Sequence, residues 1–97
     1  MVEVVWRKLA LKQLNEAYTF IKKDSLPAAE KVRDEIFDKA EALKLNPEIY
    51  PIDKYRKDND GSVRAFEVYH YRIAYQITKS QIRILIVRHS KREPFKY

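Results

Sequence analysis

The segment SVRAFEVYHYRIAYQITKSQIRILIVRHSKREPFKY, residues 62–97, constrains the fold more than any other part of the chain. It holds three short runs rich in Val, Ile, Tyr and Phe: Val63 to Tyr69, Tyr71 to Thr78, and Gln81 to His89. In the second run Ile73, Tyr75 and Ile77 alternate with Arg72, Ala74, Gln76 and Thr78. In the third, Ile82, Ile84 and Ile86 alternate with Arg83, Leu85, Val87 and His89. Side chains of a strand point alternately to opposite sides, so each run predicts one strongly apolar face and one mixed face. Only Lys79 and Ser80 separate the second and third runs, which is hairpin spacing. The segment predicts an antiparallel three-stranded meander that ends in a cationic tail.

Upstream the period changes. Val2, Val4 and Val5 before Trp6 form a short β-branched run that can add a strand to the meander. Ala10, Leu14, Ala17, Tyr18 and Ile21 then fall on one helical stripe, and Ala29, Val32, Ile36, Ala40 and Leu43 on a second. Between them, Ser25 can cap a new helix, and Pro27 is tolerated in a first turn, where its missing N–H has no partner to lose. Asn46-Pro47 closes the second helix, because the residue before a proline avoids the α region. Pro47 to Gly61 reads as a loop of unusual length, a hint of a functional or mobile segment. Gly61, the one glycine of the chain, is expected to supply a positive φ before the meander. The fold class is therefore α+β over a single domain, residues 1–97. An N-terminal strand and a two-helix antiparallel hairpin pack on an antiparallel sheet of about four strands.

Several chemistries lack their minimum equipment. There is no cysteine for a disulfide or a thiolate metal site, and one glycine cannot build a phosphate loop. His70 and His89 stand apart without helical ligand spacing, so no metal and no cofactor is expected. Isolated Ser25, Ser62, Ser80 and Ser90 give no basis for a triad, and the paired carboxylates of the second helix read as a solvated face. No apolar run approaches the roughly 20 residues of a membrane span. No secretory leader is evident, and a cytoplasmic location is the expectation.

Charge is distributed unevenly. Residues 1–53 carry 9 Lys and Arg against 10 Asp and Glu, a net of −1, whereas residues 54–97 carry 11 against 4, a net of +7. Localised positive charge interleaved with aromatics attracts polyanions or an acidic protein partner. The set that could carry chemistry is Arg64, Arg72, Arg83, Arg88, His89, Lys91, Arg92 and Lys96, with Tyr97 among them. Arginines near strand ends can hold phosphates and stabilise charge developing at phosphorus, and a nearby His, Lys or Tyr can move protons. RNA carries its own 2′-hydroxyl nucleophile, so such a set could cleave it without a metal. The same arginines could equally be exposed strand residues with no chemical role, and composition alone places nucleic-acid binding ahead of catalysis.

A β-α-α-β-β-β chain with NP after its second helix, VRAFEVYHYRIAYQI, and then IRILIVRHSKREPFKY resembles the RelE/ParE family of bacterial type II toxins. The likeness runs over essentially the whole chain, and its most specific piece is Tyr71-Arg72-Ile73-Ala74-Tyr75 followed by the basic tail. It implies a toxin neutralised by a cognate antitoxin, whose flexible segment wraps the toxin and occludes its active surface.

The family divides by target. RelE-like members cut mRNA on the ribosome, and this branch is the favoured reading: a metal-independent, ribosome-dependent mRNA endonuclease. By resemblance Arg72 contacts phosphate, and Lys91 or Arg92 stabilises the transition state or protonates the leaving group. His89 and Tyr97 are further proton-transfer candidates, and Arg64, Lys54 and Arg88 are substrate contacts. The tail is short, which leaves Tyr97 open to fraying, and Pro94 between Lys91 and Tyr97 departs from the family's pattern. The alternative is a ParE-like inhibitor of DNA gyrase without nuclease activity, which the long helical hairpin and His89-Ser90-Lys91-Arg92 also suit. A third reading is an inactive scaffold that binds antitoxin.

Overall fold

The computed structural model describes residues 2–91, 96 and 97. Its elements run β1 (Glu3–Trp6), α1 (Lys8–Lys22), α2 (Leu26–Ala42), β2 (Val63–Val68), β3 (Tyr71–Ile77) and β4 (Gln81–His89). The two apolar stripes face inward as expected. Ala10, Leu14 and Ala17 are buried on α1, and Ala29, Val32, Ile36 and Ala40 on α2, with Leu43 just beyond. Ser25 caps α2 by accepting a hydrogen bond from the Ala28 backbone N–H at 3.2 Å. The Arg33 guanidinium lies 5.0 Å from the Tyr18 ring and joins the outer edges of the two helices.

The strands form one sheet in the order β1-β4-β3-β2. β2, β3 and β4 make the expected antiparallel meander. β1 is the refinement, because it lies parallel to β4, with Val4 beside Ile82 and Trp6 beside Ile84. A helical hairpin rather than a tight turn leaves β1, and a parallel neighbour needs a long connection of this kind. The register places Trp6 on the helix side, where its ring meets Phe37 at 5.0 Å.

One irregularity changes which side chains face which layer. Ala74 pairs with Ile86 while Tyr75 pairs with Ile84, so Leu85 is an extra residue bulging from β4. Ile82 and Ile84 pack under the helices with Ile73 and Tyr75, as the alternation predicts. Past the bulge Ile86 turns to the opposite side and joins Val63, Ala65, Ala74 and Leu85 in a second, smaller cluster. The expectation that Ile82, Ile84 and Ile86 share one face fails at Ile86 for this reason. β1 is also too short to accompany β4 past Ile84, and the Val87 N–H there donates instead to the Gln13 side chain at 2.8 Å.

The long loop is hydrogen-bonded along its length. The Tyr75 hydroxyl donates to the Pro47 carbonyl at 2.6 Å, and burial pushes this phenol up to about 12. Pro51 to Asp53 lies along the outer edge of β2: Ala65 N–H donates to the Pro51 carbonyl, and Asp53 N–H to the Val63 carbonyl. Asn59 ties the loop to itself, donating to the Asp53 and Val63 carbonyls and accepting from the Gly61 N–H. Gly61 has a φ of +96°, as expected at that turn.

Ile36 is fully buried between α2 and the sheet, so Ile36→Ala should cost roughly 3 kcal/mol of stability by urea titration. Leu45→Ala, at a side chain 90% exposed, should change it by less than about 0.5 kcal/mol.

Candidate functional site

The side of the sheet away from the helices carries Arg72 on β3 and Arg88 on β4, and these two are direct cross-strand neighbours. Like charges placed opposite each other destabilise a sheet, so the pair needs nearby compensation. The loop supplies it through Asp53, the one charged side chain among the described residues that is buried, at 1% exposure. Its Oδ1 accepts from Arg72 Nη2 at 2.9 Å, from Arg72 Nε at 3.3 Å and from the Tyr55 backbone N–H at 3.1 Å. Its Oδ2 accepts from the Tyr97 hydroxyl at 2.6 Å, a short charge-assisted bond. Arg72 Nη1 donates to Glu67 on β2 at 3.1 Å, so a second carboxylate meets the same guanidinium.

Two tyrosine rings complete the cluster. The Arg72 guanidinium lies 5.0 Å from the Tyr55 ring, and the Lys54 ammonium lies 5.3 Å from the same ring. Arg56 and Arg88 take up similar positions about Tyr97, at 5.2 Å and 5.1 Å. The two cross-strand arginines thus stack on different rings around one carboxylate. Tyr97 does not fray: its N–H donates to the Tyr55 carbonyl at 2.9 Å, and its carbonyl accepts from the Lys57 N–H at 2.8 Å. Its side chain packs against the second apolar cluster.

Burial alone pushes the Asp53 carboxyl up. The bonds from Tyr97, Arg72 and the Tyr55 N–H more than offset this and hold it below the ordinary aspartate range. Burial, and then the carboxylate that accepts its proton, pushes the Tyr97 phenol up. Asp53 therefore stays ionised and Tyr97 keeps its proton at neutral pH.

The structure divides the residues singled out from sequence. Arg72, Arg88 and Tyr97 converge, with Lys54 at the rim. His89 is paired with Tyr71 on β3 and meets that ring edge-on at 5.2 Å, on the helix side of the sheet beside Gln13, Ala17 and Phe20. Its Nδ1 accepts from the Lys91 N–H at 3.3 Å, and Lys91 itself is exposed in the turn after β4. Arg64 holds the loop, donating from Nη1 to the Tyr50 carbonyl at 2.7 Å and to the Glu48 carbonyl at 3.3 Å. Arg92 lies outside the described residues. Among those described, no three His, Asp or Glu side chains form a group able to hold a metal ion.

Asp53, Tyr55 and Arg56 were not anticipated. Their only sequence signal is position: Asp53 is a lone carboxylate, flanked by Ile52 and Lys54, ahead of a half of the chain with a net charge of +7. A cationic sheet face that folds must find a counter-charge, and this loop is the nearest source.

The architecture is that of small bacterial toxins. A solved structure of the chromosomal ParDE TA system from P. aeruginosa is similar over 92% of this chain and 96% of that one, with a TM-score of 0.70 and 17% identity. The YoeB dimer from Staphylococcus aureus is similar over 91% and 95%, with a TM-score of 0.59 and 15% identity. No curated protein sequence matches the chain. The model of the ParE toxin of the type II toxin–antitoxin system parDE matches residues 4–94, and the chain belongs to that family. It is a type II toxin, a class that pairs with a cognate antitoxin. No helix among the described residues is long and apolar enough to cross a membrane.

Asp53→Asn should destabilise the fold at pH 7 by roughly 3 kcal/mol, because it takes from the partly buried Arg72 its nearer carboxylate and leaves only Glu67. A carboxyl depressed in the folded state stabilises fully above its unfolded value, about pH 4, and that contribution fades as pH falls through the lower folded value. Denaturant midpoints measured from pH 7 down to pH 2 should therefore fall more steeply for the native chain than for Asp53→Asn.

Proposed function

We propose that this toxin is a ParE-like inhibitor of DNA gyrase that acts without cleaving RNA. The observation that carries the reading is the closed state of the Asp53 cluster. A metal-independent ribonuclease needs a base to take the 2′-hydroxyl proton, an acid for the leaving oxygen, and cations directed at the phosphate. Here both Asp53 oxygens are engaged, the Tyr97 proton is held by a carboxylate, and Arg72 is matched by Asp53 and Glu67. His89 lies toward the helices, away from Arg72 and Tyr97. Membership of the ParE toxin family supports the same reading.

The ribosome-dependent mRNA endonuclease is the second reading, and the convergence of Arg72, Arg88 and Tyr97 on one face favours it. In that mechanism Arg72 and Arg92 bind phosphate and stabilise the transition state. Lys91, His89 or Tyr97 moves protons, Arg64, Lys54 and Arg88 hold substrate, and a 2′,3′-cyclic phosphate results. Either target is cytoplasmic, so the protein is placed in the cytoplasm. The cognate antitoxin's flexible segment would cover the active surface in both cases.

Purified gyrase and controlled expression in bacteria separate the two. The protein is expected to inhibit gyrase supercoiling, and mapped mRNA 5′ ends should be the same in cells expressing the native chain and Arg72→Ala. New 5′ ends inside translated codons, absent with Arg72→Ala and accompanied by unimpaired supercoiling, would overturn the proposal.

A further inference from the structure

The face that holds the Asp53 cluster has features the cluster itself does not use. Lys54 and Lys57 are exposed and Arg56 is half-exposed, all on the short piece of loop that runs beside Tyr97. The Arg56 guanidinium carbon lies 5.2 Å from the centre of the Tyr97 ring, a cation–π contact that leaves its N–H groups able to donate to a ligand. Of the nearby carboxylates, Asp53 is buried under Arg72 and Tyr97, Glu67 is exposed but paired with Arg72, and Asp60 is exposed and accepts from the Ser62 N–H of its own turn. Asp58 is exposed and follows Lys57 in the chain.

The rings decide what kind of polyanion fits. Proteins that bind single strands stack bases on open aromatic faces. Here Tyr55 and Tyr97 each carry two cations within about 5 Å, as the contacts above record, so neither offers an open platform. What the face presents is the positive charge of Lys54, Arg56 and Lys57 with no open stacking platform, which suits a phosphate backbone whose bases are already paired.

We infer that the loop-and-sheet face built from Lys54, Arg56 and Lys57 around Tyr55 and Tyr97 docks on the phosphate backbone of duplex DNA. The inference rests on the gyrase reading, since gyrase holds duplex DNA as its substrate. It assigns the toxin a contact to the DNA as well as to the enzyme. Binding should be independent of sequence and strongly salt-dependent.

Fluorescence anisotropy with a labelled random duplex of about 20 base pairs, long enough to cover a small domain, tests it across a salt series. Lys54→Gln/Arg56→Gln/Lys57→Gln is expected to weaken binding at least tenfold and to reduce the log–log salt slope by roughly 2 to 3, at about 0.9 per phosphate contact. Lys54→Gln/Lys57→Gln, which spares the Tyr97 stack, should show an intermediate loss if the triple variant misfolds. Lys12→Gln/Lys22→Gln/Lys23→Gln removes as much charge from the helical side and should bind nearly as the native chain does.

Equal losses in the two triple variants would reduce the effect to bulk charge and overturn the inference. So would a preference for single-stranded over duplex DNA. Binding to poly-glutamate but not to duplex would overturn it in favour of an acidic polypeptide. Gyrase supercoiling is scored separately. Inhibition without duplex binding sinks this inference and leaves the gyrase reading intact, whereas site-dependent duplex binding without inhibition supports the surface and sinks the gyrase reading.

Discussion

A carboxylate taken out of water must be matched by charge and hydrogen bonds, or it gives up its charge. Asp53 is matched by three separate parts of the chain: a β3 arginine, a loop N–H and the phenol of Tyr97. Loop 47–61 and the end of the chain therefore meet the sheet at one shared buried side chain, beside the bonds the loop makes through Tyr75, Arg64 and the edge of β2. Such a pair is not by itself strong evidence of net stability, because desolvation consumes much of the Coulomb gain. Its consequence is geometric: Arg72, the Tyr55 N–H and the Tyr97 hydroxyl share one acceptor, so the three segments hold their places together.

The sheet serves two layers, and the bulge at Leu85 makes that possible. On one side Ile73, Tyr75, Ile82 and Ile84 form the floor under the helical hairpin. On the other, Leu85 and Ile86 join Val63, Ala65 and Ala74 in a small apolar patch that Tyr97 closes. Beside that patch the same strands present Arg72 and Arg88. The second core thus fixes the Tyr97 ring from below while Asp53 fixes its hydroxyl. Catalysis of proton transfer calls for groups that exchange protons near neutral pH. Asp53 and Tyr97, the two acidic groups at the centre of this face, have been driven apart instead, one down and the other up.

The helices and the meander were legible because their apolar residues recur at the period of the element. Ala29, Val32, Ile36, Ala40 and Leu43 could hardly lie anywhere but on one buried stripe, and all five are buried. The direction of β1 was not legible, since four residues carry no mark of parallel or antiparallel pairing. Nor was the bulge, because Leu85 and Ile86 are as apolar as their neighbours and the pattern there fits either register. The cationic content of the site was evident, as were Arg72, Arg88 and Tyr97. The grouping was not: alternation places His89 and Arg88 on opposite sides, yet their adjacency in sequence suggested a single site. Asp53 was hidden because its role depends on a contact 44 residues away with Tyr97, which no local pattern encodes.

At neutral pH Asp53 is an ionised carboxylate held through both oxygens. A ¹³C NMR titration of its carboxyl carbon, in protein labelled at aspartate, measures this directly. The Asp53 midpoint is expected below about 3.9, the ordinary aspartate value, with the Tyr97 ring carbons showing no phenol ionisation up to pH 10, about the ordinary tyrosine value. An Asp53 midpoint at or above that ordinary value would contradict an ionised, doubly held carboxylate. The cluster would then be open, and Arg72 and Tyr97 would be available to a substrate.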